Sequence, residues 1–442
     1  MTVYFARHAL LPDGWAENVR FEVDPSGRFA SVTPDAPPTA ATLLRGLVLP
    51  GMPNVHSHAF QRAFAGRTER AGPAGDSFWT WREAMYEMLE TIEPDEFEAI
   101  AAGAYATMLE AGYTNVCEFH YVHNARGGAP YAKRTELADR IVAAARRSGI
   151  GLTLIPVLYR FSDFGQAPPV ARQLRFVLSF DAFADLWRQL YDAYGSDSQI
   201  TLGIAPHSLR AVGLADLGKL VELADAFGAT GVPIHMHASE QIGEVEACRA
   251  AHERTPIALL AECVELGPRW CLIHCTHATQ DERRTIVASG TVAGLCPTTE
   301  ASLGDGIFPA AGFVRDGGRI AVGTDSNVSI DVAEELRWLE YVQRLASRER
   351  NLMHGGGAPF VGRFLYETAL RGGTQASGRA IGALAPGRHA DMVAVKCDAE
   401  TDPDTGLGVA LFRSGAWNVG DVVAGGRHVV RDGRHSGRAR EH

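Results

Sequence analysis

Leu47-Val-Leu-Pro-Gly-Met-Pro-Asn-Val-His-Ser-His58 reads as an apolar β run that ends on two histidines. Side chains two apart on a strand point the same way. His56 and His58 therefore present two imidazoles to one point, as a zinc ion requires. Alone, such a triplet serves equally well as two satisfied polar residues. Here it closes a strand set up by Pro50, Gly51 and Pro53. Seven further runs share its character: TNVCEFH (114–120), GLTLIPVL (151–158), QITLGIAPHS (199–208), VPIHMH (232–237), WCLIHC (270–275), GTVAGLC (290–296) and RIAVGTDS (319–326). Helical patterns lie between them, at 95–112, 134–149 and 214–231 among others, each with a Gly near its end. Strands that alternate with crossover helices predict an α/β fold, a (β/α)8 TIM barrel over 49–378, with its active site at the C-terminal ends of the strands. That span exceeds the roughly 250 residues typical of such barrels, so insertions are expected. Residues 61–93, too long for a plain loop, read as one.

Both chain ends are β-rich. VYFARHALL, VRFEVDPSGRFASV and LLRGLVL precede the barrel pattern, and IGALAPGRHADMVAVKC and WNVGDVVAGGRHVVRDGR follow it. They predict one small β-sandwich domain assembled from residues 1–48 and 379–442. The formal net charge of −10 argues against a nucleic-acid surface, which needs a basic patch. No apolar run approaches a membrane span, and the first residues carry no signal-peptide pattern. Seven cysteines without a CxxC pair do not form a disulfide framework, which points to a reducing cytoplasm.

The chemistry-bearing residues fall at strand ends. His237 follows VPIHM, and Glu240 stands three residues on, where a carboxylate reaches a metal-bound water without being a ligand. His235 is a rival ligand on the same strand face, though a structural role suits it better. His274, in WCLIHCTHAT, has three open roles: a hydrogen bond to the substrate, one to the attacked oxygen, or a second metal. His277 is its rival, placed in the loop. Asp325 lies in AVGTDSN, at the end of an apolar run; a carboxylate there binds metal and accepts a proton from bound water. It could instead cap the helix that follows, but Asp331 is better placed for that.

HxH, then HxxE, then His, then Asp, in this order at the ends of strands 1, 5, 6 and 8, resembles the amidohydrolase superfamily along essentially the whole chain. In that superfamily binuclear members bridge two metals with a carboxylated lysine at strand 4. Lys133, Lys219 and Lys396 end no barrel strand, so the resemblance implies one zinc per subunit, held by His56, His58, His237 and Asp325, with His274 free for catalysis. His3Asp suits zinc, though iron or manganese could enter. The stretches at 51–66 (GMPNVHSHAFQRAFAG), 78–86 (FWTWREAMY), 205–212, 235–248, 271–279, 295–310 and 322–331 closely resemble the formimidoylglutamate deiminase family within it. Ser239 stands where that resemblance leads one to expect Ala.

The implied reaction hydrolyses N-formimino-L-glutamate to N-formyl-L-glutamate and ammonia, with Asp325 taking the water's proton, His274 assisting attack and Glu240 shuttling a proton to the nitrogen. A substrate with two carboxylates needs cationic donors, and Arg82 and Arg210 are the obvious pair. Gln61, Tyr121 and His207 lie near strand ends and add hydrogen bonds; the resemblance assigns all five to the substrate. A homodimer is also implied by resemblance. Two other readings share the metal residues: a deaminase of a guanine-like or adenosine-like ring, which needs no arginine pair, and a non-catalytic barrel scaffold, which would not need the complete set.

Overall fold

In the computed structural model, residues 1–70, 75–227, 231–355, 359–397 and 401–437 are described. The strands, in chain order, are β1 (Thr2–Leu11), β2 (Gly14–Val23), β3 (Phe29–Thr33), β4 (Thr42–Pro50), β5 (Met52–Ser57), β6 (Tyr113–His120), β7 (Gly151–Leu158), β8 (Ile200–Leu202), β9 (Ala205–Pro206), β10 (Ile234–Ala238), β11 (Trp270–His274), β12 (Val292–Leu295), β13 (Arg319–Val322), β14 (Met392–Val395), β15 (Val419–Ala424), β16 (Arg427–Arg431) and β17 (Arg434–His435).

β5 to β9 form one parallel sheet, and β10 to β13 another. Helices cross between successive strands, β8 and β9 excepted, as parallel pairing requires. Almost every residue of these strands is buried, so they read as continuous apolar runs rather than alternating ones. Single parallel bridges link the two sheets at both margins: Ile204 with Ile234, and Ser57 with Asp325. The result is an α/β fold with a curled parallel sheet. The run at 199–208 is split into β8 and β9 around Gly203, where a Cβ would come within 3.0 Å of Ile155 Cγ1.

The two chain ends meet, but not as the expected sandwich of separate facing sheets. They form one continuous eight-stranded sheet in the order β17-β16-β15-β14-β4-β1-β2-β3. The physical reason is β4. It pairs parallel with β1 on one side and antiparallel with β14 on the other, which splices the N-terminal and C-terminal strands edge to edge. Phe21, Phe29, Val48, Met392 and Val423 pack into a core of its own. Gly51 alone separates β4 from β5, so the same chain passes directly from this sheet into the strand that carries His56.

The margin between β13 and β5 sets the position of the candidate site. Asp325 N donates to His56 O and His58 N donates to Asp325 O, both at 2.9 Å. Asn54 ties the same margin, donating to Thr324 Oγ1 at 2.7 Å and accepting from Thr324 N at 3.1 Å. Gly323 is required here: a Cβ would fall 2.7 Å from His56 N and 2.9 Å from His56 O. Backbone cannot yield as a side-chain tip can. Gly323→Ala should therefore push the two strand ends apart and destabilise the fold by about 1–3 kcal/mol, the ordinary cost of overpacking. Chemical denaturation would read the loss, and unchanged stability would mean the margin is looser than these distances indicate.

Candidate metal centre and substrate pocket

Three imidazoles and one carboxylate converge at the C-terminal ends of the strands. His56 and His58 come from β5 and its end, His237 from β10, and Asp325 from just past β13. His56 Nε2 lies 3.0 Å from His237 Nε2. Asp325 Oδ1 lies 3.6 Å from His56 Nε2 and 3.3 Å from His58 Nε2. The outer ring nitrogens fix the tautomers. His58 Nδ1 faces the Phe119 carbonyl at 3.1 Å, and His237 Nδ1 faces the His207 carbonyl at 3.2 Å. A carbonyl only accepts, so each Nδ1 carries the hydrogen and each Nε2 turns a lone pair inward. Burial, reinforced by the neighbouring imidazoles, holds His56 and His237 well below the usual histidine range, and burial holds His58 at about 3. These rings are neutral. Lone pairs packed this closely beside a carboxylate repel one another unless a cation lies between them, so the donor set fits a divalent metal.

Around this centre several non-glycine residues adopt left-handed backbone: Ser239, His274, Cys275, Asp325 and Asn327, with φ between 44° and 70°. Such conformations cost energy and gather at functional sites. They fall at the ends of the strands, where Asp325 lines the pocket and His274 lies behind it with Nε2 3.7 Å from Asp325 Oδ2.

Burial pushes the Asp325 carboxyl up to about 6, with His274 opposing it. His274 Nε2 lies 3.7 Å from both Asp325 Oδ2 and Glu240 Oε1, and its Nδ1 lies 3.2 Å from Glu300 Oε1. Burial alone would lower the His274 pKa. The carboxylates of Glu240, Glu300 and Asp325 outweigh it and hold the ring well above the usual range. Burial likewise raises the Glu240 carboxyl, against the pull of His274. Glu240 is fixed from behind, its backbone N–H donating to Glu244 Oε2 at 2.9 Å.

His58, His237, Glu240 and Asp325 line one pocket with Gln61, Arg82, Tyr121, His207 and Arg210. Thus the five residues expected to bind the substrate, Gln61, Arg82, Tyr121, His207 and Arg210, line the cavity that holds the metal-competent cluster. Gln61 donates to Tyr121 Oη at 3.0 Å, which leaves its own carbonyl oxygen unpaired. Both guanidiniums stack on Trp79, at 4.6 Å for Arg82 and 5.8 Å for Arg210. Yet Arg82 Nε and Arg210 Nε and Nη1 are buried without any hydrogen-bond partner. Trp79 and Arg82 come from the helix Phe78–Leu89, inside the stretch that read as an insertion.

The rivals lie elsewhere. His235 Nε2 meets the Ala376 carbonyl at 2.9 Å, and His277 Nε2 meets the Asp305 carbonyl at 2.9 Å. Asp331 accepts from Glu334 N at 2.8 Å and caps the following helix. Lys133 and Lys219 pair with Asp139 and Asp216, away from the pocket. Sequence reasoning passed over Asn54, Asn327, Glu244, Glu300 and Asp305. Asn327 Nδ2 donates to the carbonyls of His58 and Asp325 at 3.1 and 3.0 Å. All five lay in quoted stretches, but no residue type or spacing signalled that they would surround the cluster.

The profile of the "Amidohydrolase family" matches residues 47–427, and that of "Formimidoylglutamate deiminase HutF, N-terminal domain" matches 1–44. A formimidoylglutamate deiminase from Pseudomonas aeruginosa is 48% identical over 444 aligned positions, covering 100% of this chain and 97% of its own. An 8-oxoguanine deaminase from the same organism is 25% identical, over 89% of this chain and 84% of its own. The crystal structure of an amidohydrolase from Brucella melitensis superposes with a TM-score of 0.94 at 41% identity, covering 99% of this chain and 97% of its own. An atrazine chlorohydrolase from Arthrobacter aurescens, solved with zinc and atraton, shares the fold at a TM-score of 0.83 and 20% identity, over 99% and 96%. With the whole chain matched at these levels, this protein belongs to the amidohydrolase family, alongside the formimidoylglutamate deiminases.

Proposed function

We propose that the chain is a zinc-dependent deiminase that converts N-formimino-L-glutamate and water to N-formyl-L-glutamate and ammonia. The observation that carries this reading is the set of buried, unpartnered guanidinium nitrogens, Arg82 Nε and Arg210 Nε and Nη1, in the cavity of the His3Asp cluster. A buried charged donor without an acceptor is costly. A dicarboxylate substrate supplies acceptors for both arginines, whereas a neutral purine ring does not.

We assign one zinc to His56, His58, His237 and Asp325. When bound, it lowers the pKa of a water molecule and polarises the bond under attack. The remaining work falls to the chain. Asp325 takes the proton of the attacking water. His274, with Glu300 behind it, donates a hydrogen bond to the oxygen that forms on the formimino carbon. Glu240 carries a proton to the substrate nitrogen, so that the C–N bond breaks with neutral ammonia as the leaving group. Arg82 and Arg210 bind the two carboxylates, and Gln61, Tyr121 and His207 orient the chain between them. The β5 to β13 strands, bridged at both margins, read as one closed (β/α)8 barrel over about 49–378, with 1–48 and 379–442 as the second domain. A cytoplasmic homodimer completes the reading. Among the described residues no helix is long and apolar enough to cross a membrane.

Ammonia release tests this directly. N-formimino-L-glutamate should be turned over, and 8-oxoguanine and adenosine should not. A chelator should abolish turnover and zinc restore it. Turnover of a purine in preference to the amidine would reject the substrate assignment.

A further inference from the structure

A second group of donors stands beside the first and shares none of its ligands. Glu240, His274 and Asp305 each offer one donor atom, and these atoms lie within 4.8 Å of one another. Asp305 is the residue left without a task. It is 4% exposed, and its backbone is pinned on both sides: its N–H donates to the Glu300 carbonyl at 3.0 Å, and its own carbonyl meets His277 Nε2. The Gln241 amide holds Oδ1. That leaves Oδ2 buried with no partner, and His274 Nε2 is buried with no hydrogen-bond partner either. A carboxylate behind an imidazole is the usual support of a metal-binding histidine, and Glu300 occupies that place on His274 Nδ1. Four carboxyl groups, from Glu240, Glu300, Asp305 and Asp325, gather about this one ring.

We propose that Glu240, His274 and Asp305 form a second divalent-cation site, weaker than the His3Asp centre, whose occupation by zinc switches the enzyme off. Two carboxylate oxygens and one imidazole nitrogen suit zinc and its borderline neighbours rather than magnesium or calcium. Inhibition follows from what the ion takes. Glu240 and His274 cannot move a proton or donate a hydrogen bond while their donor atoms are coordinated. The inhibitory consequence rests on the catalytic roles given to these two residues above; the existence of the site does not.

The experiment uses the protein loaded with one equivalent of zinc and dialysed against rising free zinc, with bound metal measured by mass spectrometry. A second equivalent should bind at higher free zinc, and ammonia release should fall over that same range. Asp305→Asn should retain the first equivalent and need about 10–100-fold more zinc for the second, the usual cost of losing one supporting or ligating group. Glu240→Gln, read by metal content alone, should show the same weakening, and it decides the matter if the Asp305 variant does not fold. Uptake that stops at one equivalent, or a second equivalent unchanged in both variants, overturns the proposal. Failure to release ammonia at any zinc concentration would reject the substrate reading instead, and the binding curve would still stand.

Discussion

Glu240→Gln protein is expected to keep its zinc and to release ammonia about 10²–10⁴-fold more slowly, the range associated with loss of a general acid–base. Glu240 is not one of the four groups that converge at the candidate metal centre. Its side chain is only 12% exposed, and its Oε1 faces His274 Nε2 at 3.7 Å. Glutamine preserves the shape and removes the ability to carry a proton. The leaving nitrogen would then have to depart as an amide anion or wait for a proton from water. Metal content and kcat measured on one preparation check both halves. Full turnover with zinc in place would remove Glu240 from the mechanism.

Truncation of either arginine should lower kcat/KM by about 10–150-fold, from the roughly 1.5–3 kcal/mol of a hydrogen bond to a charged group. The loss should appear chiefly in KM, because the carboxylates do not change during reaction. A sharper test crosses the variants with the substrate. An analogue lacking the α-carboxylate has nothing to offer one of the two guanidiniums. Arg82→Met or Arg210→Met, whichever served that carboxylate, should cost the analogue almost nothing while still costing the full substrate. Equal losses for both substrates in both variants would show that the arginines support the pocket rather than read the carboxylates. Trp79 makes this outcome instructive, since both guanidiniums stack on its ring.

Much of this molecule is legible in the sequence because strand ends in parallel sheets are sharply marked. His56, His58, His237, His274 and Asp325 each close an apolar run, and the fold brings those ends together. Arg82 was legible for another reason: it lies in an aromatic-rich insert too long for a plain loop, and a dicarboxylate substrate needs a cationic donor. Other features escaped. Glu300 and Asp305 sit in the loop and short helix past β12, where no periodicity distinguishes a buried carboxylate from a surface one. Left-handed backbone at His274 and Asp325 is equally silent, since neither is glycine. The two chain ends were seen to be β-rich, but alternation of apolar residues does not tell which edges meet. Sheet order depends on β4 finding β14 more than 340 positions away, and nothing local encodes that pairing.

That pairing bears on how the polypeptide is made. As it leaves the ribosome, β1 and β2 can close a hairpin at once, and β4 can join it. The other margin of β4 must then wait, with its amides and carbonyls exposed, until some 340 further residues have been synthesised. A naked strand margin is a template for pairing with a neighbouring nascent chain. Premature release during translation should therefore yield aggregates seeded at 42–50, even though the chain that carries the candidate site is by then nearly complete.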